Sequence, residues 1–173
     1  HHEDIVKKNL ELENICNVGT SLWRPDFFEN IEDIDISKTK DVAIIASTNP
    51  IKNQIGAENF CISRGLSYDL ISSPTPLGLL KKMASYKTVV YLPKVPESFS
   101  RLAVEAKMVG CKLISNKLLG CAYEPWFQSS REDIIHQMRS SPDRIFKTIE
   151  GLLEFKAPPK KITSQKGLVS IIV

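Results

Sequence analysis

The sequence lacks the paired cysteines that would build a metal or redox motif. Its four, Cys16, Cys61, Cys111 and Cys121, fall at wide and irregular spacing, with no C-x-x-C and no histidine placed to complete a zinc site. They read as reduced thiols, which places the expected compartment in the cytoplasm. Histidine is also scarce. The terminal His1-His2 pair supports no metal site, and the one internal histidine, His136, falls in a late helical stretch away from the loops discussed below. No apolar run approaches the roughly 18 residues of a membrane span. The N-terminus does not show the basic-then-apolar order of a signal peptide. Neither sign of charge dominates: the net charge of +3 comes from Lys and Arg spread along the chain among comparable numbers of Asp and Glu. That excludes an argument for nucleic acid. Lys81-Lys82 and Lys160-Lys161 read as solvated charge, giving at most peripheral contact with an anionic membrane surface. Internal repeats and low-complexity segments are absent.

What is present is an ordinary globular composition, 42% hydrophobic and 25% charged over 173 residues, enough for one core with an appendage. Residues 1–40 are expected to hold an N-terminal helix and a connector. In the connector, a short strand-like run at 15–18 is followed by Trp23, Pro25, Phe27 and Phe28, and an acidic surface loop covers 31–40. Residues 41–155 form the main domain. Val42, Ala43, Ile44 and Ile45 are consecutive and apolar, the signature of a strand buried on both faces of a parallel sheet. Strands at 41–47, 67–73, 88–93 and 111–115 alternate with helices at 53–64, 77–86 and 99–109, with Gly65 and Gly110 as helix stops. Such βαβ alternation predicts an α/β, Rossmann-like, doubly wound parallel sheet with helices on both faces. Two further helices, one carrying Ile134, Ile135 and Met138 and the next Ile145, Phe146, Ile149, Leu152 and Leu153, are expected to pack across the sheet. Residues 156–173 read as a Lys- and Pro-bearing linker and a final strand, the start of a possible following domain in a longer parent chain.

In an open parallel sheet, ligands bind beyond the carboxyl ends of the strands where the strand order reverses. For the order 2-1-3-4 that brings the loop at 48–54 to face the loop at 94–100. The first loop places Lys52 just before a helix, where free N–H groups and the helix dipole favour an anion; a solvated loop lysine is an equally good reading by position. The second places Glu97 just outside a helix and Glu105 two turns inside it, leaning back toward the same crevice. A carboxylate there suits a diol, since it accepts hydrogen bonds from neighbouring hydroxyls. On spacing alone, the plainer reading is preferred: Glu97 as a helix-start acid and Glu105 paired with Arg101.

The segment from Tyr91-Leu92-Pro93 to Ser115 shifts that balance. Glu97 and Glu105 stand eight residues apart, Ala103-Val104-Glu105-Ala106 follows, and Gly110 leads into Cys111-Lys112-Leu113-Ile114-Ser115. This pattern resembles the donor-site motif of group 1 glycosyltransferases, family 4 and its relatives, of GT-B architecture. Weaker similarity extends to Trp23–Phe28 and to the strand and Lys52 of the first βα unit. The resemblance implies the C-terminal half of a GT-B fold that binds a nucleotide-sugar donor for retaining transfer to an acceptor hydroxyl, in glycan or polysaccharide biosynthesis. It implies that Glu105 meets the donor ribose, that Glu97 meets the donor sugar as the catalytic residue, and that the backbone at Ser98, Phe99 and Ser100 cradles the diphosphate. Lys52 takes the phosphate-binding lysine, and Pro76 and Leu77 lie near the base. No metal or cofactor is implied beyond the donor itself. The implied partners are an N-terminal acceptor domain of the same parent chain, without which this part is expected to be inactive, and a possible following glycosyltransferase domain. The chain departs from the family pattern at Ser47, where an arginine is usual, and at Ser98 and Ser100, where glycines are usual. With one cation fewer, either the donor affinity is lower or another residue, such as Lys94 or Lys117, fills the role. These departures keep open a catalytically inactive interaction or scaffold domain; a sugar-nucleotide epimerase of similar fold is a further alternative.

Overall fold

The computed structural model describes residues 7–9, 15–154 and 170–172. A parallel sheet of four strands forms its centre: β2 (Lys40–Ile45), β3 (Asp69–Ile71), β4 (Tyr86–Val90) and β5 (Lys112–Ile114), in the order β3-β2-β4-β5. This is the 2-1-3-4 order, with Ala43 level with both Asp69 and Val89, and Val89 level with Leu113. Strands β3 and β5 are shorter than expected at both ends, and β2 and β4 begin earlier and end earlier than expected. Separately, β1 (Ile15–Asn17) pairs in parallel with β6 (Ser170–Ile172) in a two-stranded sheet. The expected linker at 156–167 lies outside the described residues.

Alternation along the strands divides the core. Val42, Ile44 and Val90 point to one face, where Ala57 and Cys61 of α2 (Gln54–Ser63) cover them. Ala43, Val89 and Ile71 point to the other, against Leu80 and Met83 of α3 (Pro76–Ala84) and Ala103, Val104 and Ala106 of α4 (Arg101–Met108). Helices therefore cover both faces, as the doubly wound pattern requires. The two expected glycine stops are present. Gly65 (φ +62°) follows α2 and lets Leu66 N–H reach back to the Cys61 carbonyl (2.9 Å). Gly110 (φ +75°) does the same after α4 for Cys111 N–H and the Ala106 carbonyl (2.9 Å).

Three expectations need correction. The supposed surface loop at 31–40 begins inside a helix, α1 (Pro25–Glu32), which opens on a proline at its first turn; Ile31 and Ile34 are buried with Trp23 and Phe28. The acidic residues between them are the exposed side of this segment. The helix α5 (Arg131–Arg139) packs on α4 and α1 and not across the sheet, joining Ile134, Ile135 and Met138 to the larger core. In α6 (Ser141–Glu154), Ile145 is buried but Phe146 is 64% exposed and stands outside the apolar stripe. The four cysteines are unpaired. No helix among the described residues is long and apolar enough to cross a membrane.

Candidate functional site

The loops after β2 and β4 meet beyond the carboxyl ends of the strands. Asn49 starts a single 3-10 turn, Pro50–Lys52, by accepting Ile51 N–H on its side chain (3.0 Å). Asn53 then adopts a left-handed conformation (φ +56°), which asparagine tolerates better than most residues, and becomes the first residue before α2. Its side-chain amide donates to the Leu92 carbonyl in the loop after β4 (2.8 Å), and Lys94 N–H donates to the Ile51 carbonyl (3.0 Å). The two loops are thus tied backbone to backbone and side chain to backbone, at the reversal of strand order.

Lys52 and Glu97 close this junction. The Lys52 ammonium lies 2.9 Å from Glu97 Oε1 and 3.0 Å from the Tyr91 hydroxyl, and that hydroxyl donates to Glu97 Oε2 (2.5 Å). The resulting triangle of lysine, tyrosine and carboxylate is partly shielded from solvent, with side-chain exposures of 34% for Lys52 and 25% for Glu97. Burial opposes the charge on Lys52, but the bonds to Tyr91 and Glu97 outweigh it and hold its pKa above the ordinary value. Burial and the bond to Glu97 raise the Tyr91 phenol. Glu97 is fixed by its backbone too: its N–H donates to the Leu118 carbonyl (2.9 Å) and its carbonyl accepts from Gly120 (2.8 Å). Buried Leu119 anchors that clamp.

Glu105 sits apart from this triangle, one loop and two helical turns further on. Its Oε1 accepts the Trp23 indole N–H (3.0 Å) and lies 3.5 Å from Arg101 Nε, while Arg101 also stacks over the Trp23 ring. The carboxylate is 14% exposed, and burial raises its pKa against the opposing pull of Trp23 and Arg101. Oε2 makes no hydrogen bond among the described residues, so one acceptor remains open. Between the two glutamates, Ser98 is exposed, Phe99 sits edge-on to Trp23 and tilted against Trp126 (6.0 Å to each), and buried Ser100 caps α4 by accepting Ala103 N–H. Pro76 is exposed at the first turn of α3 and Leu77 packs against the core.

A cleft of about 920 Å³ opens beside the junction, between the loops after β2 and β3. Ser47, Thr48, Asn49, Ser72 and Lys94 face it, but Glu97, Glu105, Pro76 and Leu77 do not line it. Lys52 lines a smaller cavity of about 120 Å³ that shares Ala46, Ser47 and Gln54 with the cleft. The structure therefore joins Lys52 to Glu97 directly and keeps Glu105 in its own environment. Two side-chain partners of these residues appear in the sequence reading without such a role. Tyr91 opens the motif segment and Trp23 lies in the aromatic connector, but nothing in the spacing pairs Tyr91 with Lys52 or Trp23 with Glu105, 82 residues away. Among the described residues, no group of three or more His, Cys, Asp or Glu side chains is arranged to hold a metal ion. No family model, curated protein or solved structure matches the chain.

Proposed function

We propose that this chain is the donor-binding domain of a retaining glycosyltransferase and takes a nucleotide sugar at the carboxyl edge of its sheet. The observation that carries the reading is the 2.9 Å contact between Lys52 and Glu97, two residues 45 positions apart that the glycosyltransferase-like pattern assigns separately to one ligand. They meet at the topological switch point, next to a cleft large enough for a nucleotide. On this reading Glu97, held by Tyr91 and its backbone clamp, faces the donor sugar. Glu105 offers Oε2 to a ribose hydroxyl while Oε1 stays with Trp23. In the free protein the Lys52 ammonium donates to Glu97 and Tyr91, which leaves one of its three N–H groups for a phosphate. Departure of the diphosphate is assisted by cationic groups on these loops, which meet the charge that develops on the leaving oxygen. Transfer requires an acceptor domain contributed by the rest of a GT-B enzyme.

Calorimetric titration with UDP, GDP and ADP, and with each 2′-deoxy counterpart, tests this. One base should bind saturably, and both Glu105→Ala and removal of the 2′-hydroxyl should weaken it. Equal affinity for ribose and deoxyribose forms would remove Glu105 from the site. One arrangement favours a second reading, a scaffold domain on the same fold. Lys52 and Glu97 neutralise each other, and Glu105 is largely covered by Trp23 and Arg101, so all three also serve as internal ties. A scaffold would bind none of the nucleotides.

A further inference from the structure

The polar groups around the large cleft divide into those already committed and those free. Asn53 gives its amide to the Leu92 carbonyl. Gln54 accepts Ser47 N–H (2.8 Å) and donates to Glu58 (2.8 Å). Asn49 spends its side-chain oxygen on Ile51 N–H, which leaves its NH₂ as a donor. The hydroxyls of Thr48 and Ser72 make no hydrogen bond among the described residues. Lys94 is the only charged residue lining the cleft, and its ammonium has no hydrogen-bond or ion-pair partner among the described residues.

Lys94 is also well placed. Its backbone N–H is held by the Ile51 carbonyl (3.0 Å), and the carbonyl of buried Pro93 just before it accepts from Asn116 (2.8 Å). The loop therefore fixes where the side chain starts, and the ammonium is the part left free to adapt. Lys117, by contrast, does not line the cleft. The free groups amount to one ammonium, one amide donor and two hydroxyls, with no carboxylate among the lining residues. That set suits a ligand rich in anionic acceptor oxygens.

Lys52 stands differently: two of its three N–H donors already serve Tyr91 and Glu97, that carboxylate offsets its charge, and its side chain lines the smaller cavity and not the large cleft. A ligand in the cleft therefore meets at most one free donor of Lys52. Lys94 gives up nothing but water. We infer that Lys94, and not Lys52, is the principal cation holding the anionic part of the ligand in this cleft, a diphosphate group lying along Thr48, Asn49 and Ser72. The inference rests on the nucleotide-binding reading above and assigns the cation that Ser47 does not supply.

The test is titration of the full chain with inorganic pyrophosphate, UDP, GDP and ADP at two salt concentrations, using Lys94→Gln, Lys94→Arg and Lys52→Gln. Lys94 is exposed and bonds only through its backbone, so its variants should melt with the wild type; circular dichroism checks this. Replacing Lys94 by Gln should weaken binding about tenfold or more, the range of a hydrogen bond to a charged group. It should also flatten the salt dependence. Lys94→Arg should stay within about threefold of wild type, and Lys52→Gln should cost less than Lys94→Gln. If Lys94→Gln binds nucleotide as wild type does while Lys52→Gln does not bind, the inference is overturned and the nucleotide reading stands. Binding of pyrophosphate but no nucleotide, lost in Lys94→Gln, supports the Lys94 site and overturns the nucleotide reading. No binding of any probe to the wild type overturns both.

Discussion

Replacing Trp23 by Phe isolates the contact that orients Glu105. The indole N–H donates to a carboxylate that is 14% exposed, at 3.0 Å. A hydrogen bond to a charged group contributes about 1.5–3 kcal/mol, and its loss leaves the carboxylate under-solvated. The smaller ring of Phe removes further packing from a side chain that is 7% exposed, so the total cost expected at neutral pH is roughly 2–4 kcal/mol. Arg101 is more than half exposed and compensates little. The pH dependence follows from the raised pKa of Glu105. Its folded form binds a proton more readily than the unfolded chain, so burial of the charged carboxylate costs stability above the folded pKa. That cost is relieved as the pH falls through the folded pKa toward the ordinary value. Losing the Trp23 donor raises the folded pKa further and enlarges the relief on acidification. The assay is urea denaturation of wild type, Trp23→Phe, Glu105→Gln and the double variant, at neutral pH and near pH 5. With a neutral amide at 105 the same indole bond is worth only about 0.5–1.5 kcal/mol, so the coupling between the two sites should be on the order of 1–2 kcal/mol. An equal cost of Trp23→Phe in both backgrounds, or one independent of pH, would refute the reasoning.

Two further substitutions probe the junction of the loops. Lys52→Met should destabilise by about 1 kcal/mol at neutral pH, a small figure because the pair is about a third exposed. The raised pKa of Lys52 means that its contribution is fully present below the ordinary lysine value and disappears as pH rises through the folded pKa; wild type and variant should therefore converge in stability only in strong alkali, followed by thermal melts across that range. Leu119→Ala should cost about 2–5 kcal/mol, since the side chain is fully buried between the backbone bonds that clamp Glu97, and hydrogen exchange at Glu97 and Gly120 amides should accelerate with it.

The sheet could be read from the sequence because its cause is local. Val42 to Ile45 are apolar without alternation, as a strand covered on both faces requires, and the glycines at 65 and 110 mark two places where a left-handed residue ends a helix. Helix α1 was hidden because it has only eight residues and its buried positions, Phe28 and Ile31, share it with acidic residues that also suit a loop. Lys52, Glu97 and Glu105 stood out individually by their positions relative to strand ends. Their partners did not. The triangle with Tyr91 depends on the distance between two loops, and the cover of Glu105 by Trp23 depends on how the connector packs against α4, neither of which leaves a mark in sequence spacing. The open ammonium of Lys94 is likewise visible only once every neighbouring donor and acceptor has been assigned to a partner.

The most direct test of a nucleotide-sugar site at this edge of the sheet is amide chemical-shift mapping with UDP-, GDP- and ADP-linked glucose. The account predicts saturable shifts from one donor, concentrated at residues 46–54, 72 and 94–105. Shifts confined to the opposite edge, around Lys40, Asp69 and Tyr86, or no shifts with any donor, would contradict it.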